Sequence, residues 1–146
     1  HRPVGDIVGV VALYGEHDLP LRVSENPCCS DGKAFPRPPG GCISPGLAAF
    51  LGFSTISVDN ERVLKEASAA NNVHSAMPPY LLVHGTRDFG VPFEQSVSMH
   101  QTMLRAGAKC TLIPVVGGGH GGWNAPTMQH YRSDVENWLR ETLKLK

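Results

Sequence analysis

Two residues of this chain stand where an acid and a base would have to stand. Asp88 follows a short unbroken apolar run, Tyr80 to Val83, opened by Pro78-Pro79 and closed by His84-Gly85. His120 follows a second run, 111–116, inside the segment GGGHGGW. Runs of this kind predict parallel strands covered on both faces. The carboxyl ends of such strands form the edge where open α/β sheets bind ligands. An Asp and a His at two successive strand ends therefore predict a proton-transfer pair. The imidazole, whose pKa lies near neutral pH, takes the proton, and a carboxylate on its other nitrogen holds one tautomer. This is two thirds of a hydrolytic triad, in the order acid then His. The glycines flanking His120 let the backbone bend around it.

The third member is harder to find. A serine made nucleophilic by such a pair sits in G-x-S-x-G on a strand-to-helix turn, upstream of the acid and the His. No such pentapeptide occurs. Gly52-Phe53-Ser54-Thr55-Ile56 has the first Gly and the Ser, lacks the second Gly, and follows a poor strand. Ser54 has the right order relative to Asp88 and His120, but not the right setting. Trp123, directly after GGGHGG, is a candidate cleft wall offering an aromatic face for stacking, with core packing as the alternative. His84 reads as a buried, hydrogen-bonded residue and His100 as a helix-interface residue. His17, His74 and His130 have no supporting pattern, and Arg87 and Glu94 read as solvated charges. Asp18, past the end of an apolar run at 7–13, either lines the cleft or caps a turn or helix.

The elements that must position these residues are legible in part. DIVGVVALYG, from Asp6 to Gly15, reads as a core strand. Asp59 to Ala70 reads as a helix with Asp59 as N-cap and Val63, Leu64 and Ala67 on one side. Pro92 to Ala106 reads as a helix whose inner face carries Phe93, Val97, His100 and Leu104, widened by Met103, with Gly107 as the stop. Lys109 to Pro114 is the next strand. Thr127 to Leu143 is the last helix, with Met128, Tyr131, Val135, Trp138, Leu139 and Thr142 as its inner stripe. Residues 19–46, dense in proline and glycine and with little periodicity, predict an irregular loop or lid over the catalytic edge. Its cysteines predict a disulfide, Cys29–Cys42 or Cys28–Cys42, against the alternative of free thiols. Cys110 opens a strand and reads as a small buried hydrophobe.

HGTRDFGVP followed by a helix, a strand and GGGHGG resembles the C-terminal part of the α/β-hydrolase superfamily. Within it the chain is similar to small carbohydrate esterases of the acetyl-xylan or feruloyl type, and prolyl-oligopeptidase-like peptidases share the pattern. EASAANNVHSAMPPYLLVHG adds to the match. The esterases carry an Ala-Ser-Pro segment there, with Ala69 standing in this chain where the Pro is usual. The related strand after the nucleophile helix ends in a similar Tyr-Gly, here Tyr14-Gly15. The resemblance covers roughly residues 5–15 and 45–143. It implies an α/β fold, the C-terminal part of an α/β-hydrolase domain, with a mostly parallel sheet and flanking helices. It also implies a serine hydrolase of small esters, on carbohydrate, with His120 as base and Asp88 as acid. The alternatives are a fragment of a prolyl-oligopeptidase-type peptidase and a non-catalytic, degenerate hydrolase module used for binding.

Length and charge set the bounds. The chain has 146 residues, which reads as a single domain, 1–146. A βα unit takes about 30 residues, so an eight-stranded hydrolase sheet would need about 240. The chain therefore reads as the second half of an enzyme, inactive alone. The serine and the oxyanion donors would come from an N-terminal half, which would also be its partner, with self-association as the fallback. Formal net charge is zero, which argues against nucleic acid as a partner. No apolar run is long enough to span a bilayer. No metal-ligand spacing occurs, and no metal or cofactor is expected. The clustered cysteines favour an extracytoplasmic compartment.

Overall fold

A parallel three-stranded sheet carries the site. The structure, a computed structural model, describes residues 7–25, 28–30, 33–37, 39 and 41–145. Asp6, the first residue of the expected opening strand, and the side chains of Cys29 and His130 lie outside what is described. The sheet runs β1 (Val10–Leu13), β4 (Tyr80–Gly85), β5 (Cys110–Val115), with β4 in the middle. Val10 pairs with Tyr80 and Leu13 with Val83, and on the other side Tyr80 pairs with Cys110 and Gly85 with Val115. This register brings the ends of β4 and β5 level, so the segments that follow them leave the sheet side by side.

β4 is apolar in consecutive positions because it is covered twice. Leu82 packs with Met99 and Met103 of α4 (Glu94–Arg105), together with Ala70 and Ala108. Leu81 and Val83 point to the opposite face, where Val115 and Tyr131 meet them, flanked by Val135 and Trp138 of α5 (Ala125–Leu143). Alternation of side chains along a strand produces this split. The fully enclosed Leu82 belongs to the class of core leucines whose truncation to Ala costs about 2–5 kcal/mol.

The stretch expected to be irregular, 19–46, is largely regular where it is described. It holds α1 (Leu19–Ser24), the antiparallel pair β2 (Cys28–Ser30) and β3 (Lys33–Phe35), and the start of α2 (Pro45–Leu51). Short cap signals make these helices. The Asp18 carboxylate accepts from the Leu21 N–H at 3.0 Å and Pro20 occupies the first turn. Ser44 does the same for Leu47 at 3.2 Å, ahead of Pro45. Asp18 is thus a cap, one of its two expected roles. A third apolar cluster, Leu19, Val23, Leu47 and Leu64, joins α1 and α2 to α3 (Val58–Ala67). Cys28 and Cys42 form a disulfide, their Cα atoms 5.4 Å apart.

Three further expectations are corrected. The N-cap of α3 is Ser57, whose backbone N–H donates to Asn60 Oδ1 at 2.8 Å, two residues ahead of the expected Asp59. The opening strand is shorter, and Ile7 and Val8 ahead of it are exposed. The buried face of α4 is Gln95, Ser96, Met99 and Met103, while Leu104, expected inside, is 52% exposed. Gln95 and Ser96 are polar, so a hydrophobic periodicity cannot see that they face inward. Gln95 Oε1 accepts from the backbone N–H groups of His17 and Asp18 at 3.0 and 2.8 Å, fixing the path from β1 into α1. α5 bears its expected stripe and begins at Ala125, capped by Asn124 Oδ1 on the Thr127 N–H at 3.0 Å. Among the described residues no helix is long and apolar enough to cross a membrane.

Candidate active site

The site begins at the end of β4. The chain turns at Thr86-Arg87 and drops the Asp88 side chain back into the protein, where it is fully buried. Burial of a carboxylate is tolerated only when its oxygens are satisfied, and here each oxygen is. Oδ1 accepts from the backbone N–H groups of Gly90 and Val91 at 2.7 and 2.8 Å. Oδ2 lies 2.9 Å from His120 Nδ1 and 3.2 Å from His84 Nε2. An Asx-type turn thus fixes the carboxylate, leaving one oxygen for two imidazoles.

His120 comes from the turn after β5. Gly85 is what allows the two turns to lie together. A Cβ at that position would stand 2.3 Å from the Gly118 carbonyl oxygen and 2.4 Å from that of Gly119. Gly121 has φ +71° and lies against the Tyr14 ring, so a side chain there would meet both strain and a clash. The His120 side chain is 47% exposed although its partner carboxylate is fully buried. With Nδ1 held by Asp88, Nε2 is the ring nitrogen left for a partner in the cleft. Apart from its exposed setting, this is the disposition a general base needs: one nitrogen oriented, the other presented.

The cleft beside His120 has a volume of about 650 Å³ and is bordered by Glu16, Arg22, Ser44, Gly46 and Arg87. The 19–46 stretch therefore contributes directly to it. Arg22 is buried, with Nε on Glu16 Oε1 at 2.8 Å, a terminal nitrogen on the Glu25 carboxylate and another on the Gly90 carbonyl at 3.0 Å. Burial pushes the Glu25 carboxyl up to about 7, outweighing the Arg22 charge that pulls it down. Arg22 so ties the loop that carries Asp88's hydrogen-bond donors to α1.

Asp88 and His120, singled out from the sequence, are brought into contact. Ser54 is exposed between α2 and α3 and is not among the residues bordering the His120 cleft. The cleft's own hydroxyl, Ser44, is engaged as the cap of α2. Trp123 lies behind His120 and does not border this cleft. Its Nε1 donates to the Gly119 carbonyl at 3.1 Å and its ring packs on Tyr131 at 5.3 Å and Tyr14 at 5.8 Å. Two residues near the pair were not assigned to the site from the sequence. Tyr14 packs edge-on against His120, and Ser96 holds His84 Nδ1 at 2.7 Å. Tyr14 carried one signal, its place at a strand end before glycine. Among the described residues no group of three or more His, Cys, Asp or Glu is placed to hold a metal ion.

Comparison with known proteins agrees with this architecture. The model of the prolyl oligopeptidase family matches residues 52–146. The structure of a truncated carbohydrate esterase from gut microbiota superimposes with a TM-score of 0.67 and 27% identity, over 92% of this chain and 42% of that one. An acetyl ester-xyloside bifunctional hydrolase from Caldicellulosiruptor lactoaceticus superimposes with a TM-score of 0.69, over 94% of this chain and 43% of that one. At 19% identity that likeness is one of fold. The dipeptidyl-peptidase 4 of Giardia intestinalis is 24% identical over 82 residues, 56% of this chain and 11% of that protein. The chain thus spans less than half the length of each of these relatives. Its sheet and flanking helices are those of an α/β-hydrolase.

Proposed function

The chain belongs to the prolyl oligopeptidase family, and from that premise we propose that it carries the base and the acid of a serine hydrolase acting on small esters of carbohydrates. The observation that carries this reading is the 2.9 Å contact between His120 Nδ1 and the buried Asp88 carboxylate, made at the rim of an open cleft. In this reading His120 Nε2 takes the proton of a serine hydroxyl as its oxygen attacks the ester carbonyl. It returns that proton to the departing alkoxide, leaving an acyl-enzyme. It then activates the water that releases the acid. Asp88 holds the imidazole in the required tautomer and stabilises the imidazolium. The serine and the oxyanion donors are supplied by a part of the hydrolase domain beyond this chain.

Esterase is the reading supported by structural likeness: the carbohydrate esterase superimposes along 92% of this chain at 27% identity. The Cys28–Cys42 disulfide suits an oxidising, extracytoplasmic compartment. The test is hydrolysis by the full-length protein of 4-nitrophenyl acetate and an acetylated xylo-oligosaccharide, against a dipeptidyl 4-nitroanilide. Turnover of the esters, abolished by His120→Ala, is expected. Turnover of the anilide alone would make the protein a peptidase. No turnover of any of the three by folded protein would leave a binding module.

A further inference from the structure

His120 is not the only imidazole on Asp88. His84, the penultimate residue of β4, is completely enclosed, and its Nε2 lies 3.2 Å from the same Oδ2 that His120 Nδ1 contacts. The same Nε2 lies 2.8 Å from the Val91 carbonyl oxygen. A carbonyl only accepts, so Nε2 carries a hydrogen, which it donates to Val91 O with Asp88 Oδ2 close beside it. At the other side of the ring, Ser96 Oγ lies 2.7 Å from Nδ1 and donates to it in the neutral ring. Phe93 packs edge-on at 5.8 Å and closes the ring plane. Ser96 on α4 thus holds His84, and His84 holds Asp88.

We propose that His84 is a positioning residue for the Asp88–His120 pair: its Nε2–H group, held 3.2 Å from Asp88 Oδ2, draws on the carboxylate's charge and so sets how strongly Asp88 draws a proton onto His120. This deepens the hydrolase reading and rests on it for its catalytic meaning, but the coupling itself is a property of the folded chain. A carboxylate oxygen with one hydrogen-bonded imidazole and a second N–H dipole beside it divides its charge between them. Removing one leaves more for the other, and the imidazolium of His120 becomes easier to form. The titratable and charged groups around the network enter the same balance. His17 interacts electrostatically with His84. Tyr14 packs on His120, and Glu16, Arg22 and Arg87 border its cleft.

The experiment is a pH titration of His120 by NMR in the full-length protein labelled at histidine, which needs no turnover and so is independent of whether the hydrolase reading holds. His84→Leu is expected to raise the His120 midpoint by about half to one pH unit. His84→Gln, whose amide can donate from nearly the same place, should stay within about 0.3 unit of the native value. Ser96→Ala, which loosens the ring without removing it, should move the midpoint up by less, and serves if His84→Leu does not fold. The native His84 should show a protonated Nε2 in its ring nitrogen shifts. An unprotonated Nε2, or an unmoved His120 midpoint in folded His84→Leu or Ser96→Ala, would overturn the proposal.

Discussion

Tyr14 stands with its ring edge-on to the imidazole of His120, centroids 4.7 Å apart at 61°. It reaches that position from a left-handed backbone, φ 44°, at the end of β1, anchored by its N–H on the Val83 carbonyl at 2.9 Å. For a residue with a Cβ this conformation costs about 1–2 kcal/mol. Glycine would adopt it more readily, yet glycine would remove the aromatic edge that packs on the His120 ring. Strain held at the edge of a candidate site is consistent with a positioning role.

The first prediction follows. Tyr14→Phe keeps the ring and should leave ester hydrolysis within about twofold. Tyr14→Ala removes a ring pairing worth about 1 kcal/mol and should lower kcat by roughly five- to tenfold as His120 gains freedom. Steady-state kinetics with 4-nitrophenyl acetate checks it. Equal rates for the Ala and Phe variants would show that the contact is packing alone.

Asp88→Asn is expected to preserve the turn and lose the chemistry. The amide oxygen can still accept from Gly90 and Val91, replacing Oδ1. The amide nitrogen then faces His120 Nδ1 and His84 Nε2, two positions that now present donors to a donor. His120 must turn or change tautomer. A loss of about 10⁴ in kcat is expected, as for removal of a triad carboxylate, with circular dichroism unchanged. A kcat within a few-fold of native would remove Asp88 from the acid's role.

The pair was legible because apolar runs mark strands, and a parallel topology puts successive strand ends on one edge. Asp88 and His120 needed nothing more. What surrounds them was not legible, for a common reason. Gln95, Ser96 and Ser68 are buried polar residues whose value lies in the partners they meet. Ser68 Oγ, for example, accepts from the Leu19 N–H at 3.2 Å and donates to the His17 carbonyl at 3.0 Å. A hydrophobic pattern assigns such residues to the surface, and that error rotated the expected face of α4. The helices α1 and α2 were hidden by the proline content of their neighbourhood, although Asp18-Leu19-Pro20 and Ser44-Pro45 are themselves start signals. Disulfide pairing between Cys42 and one of two adjacent cysteines was open until geometry chose Cys28.

Acid should find the protein's weak point at His17. Burial, with the nearby His84 as a smaller cause, pushes this imidazole down from 6.5 to about 4, and its Nε2 has no hydrogen-bond partner. The unfolded chain therefore binds the proton first. The stability from keeping His17 neutral is fully present above pH 6.5 and is lost as pH falls towards 4, on the order of 3 kcal/mol in all. Glu25 works the other way. Its raised value means that stability is lost as pH rises from 4.5 through about 7. Urea unfolding of native protein and His17→Leu, compared from pH 7 to 4, should diverge as pH falls. A constant difference would contradict the assignment.

Reduction of Cys28–Cys42 should loosen the wall of the cleft before it unfolds the sheet. The bridge closes a separation of 14 residues between α1 and α2, and Ser44 and Gly46 of the cleft follow directly. Loss of a constraint of this length costs about 3 kcal/mol in the chain-entropy model. A Cys28→Ser, Cys42→Ser variant should show a lower urea midpoint. It should also show faster amide exchange in 19–51 than in β4 and β5. Equal exchange in both regions would mean that the bridge does not act locally.

The last prediction concerns the free side of β1. In the order β1-β4-β5, no strand among the described residues pairs with the outer edge of β1. Leu13 is 47% exposed there, and beside it Val11, Trp123, Met128 and Val135 border an apolar hollow of about 230 Å³. An open edge with apolar cover removed recruits another strand. In the reading proposed above, the neighbour would be a strand from the rest of the sheet. The 146 residues produced alone have only their own copies, so they should self-associate. Light scattering across a concentration series is expected to give masses above the 15.7 kDa of one chain. Leu13→Lys, which places a charge at the exposed end of the edge, should shift the distribution towards the single chain while leaving β4 and β5 folded. Supplying the remainder of the domain as a separate chain should do the same by forming a mixed complex, with ester hydrolysis appearing only in that complex. A native chain that stays monomeric at all concentrations would show that β1 needs no partner.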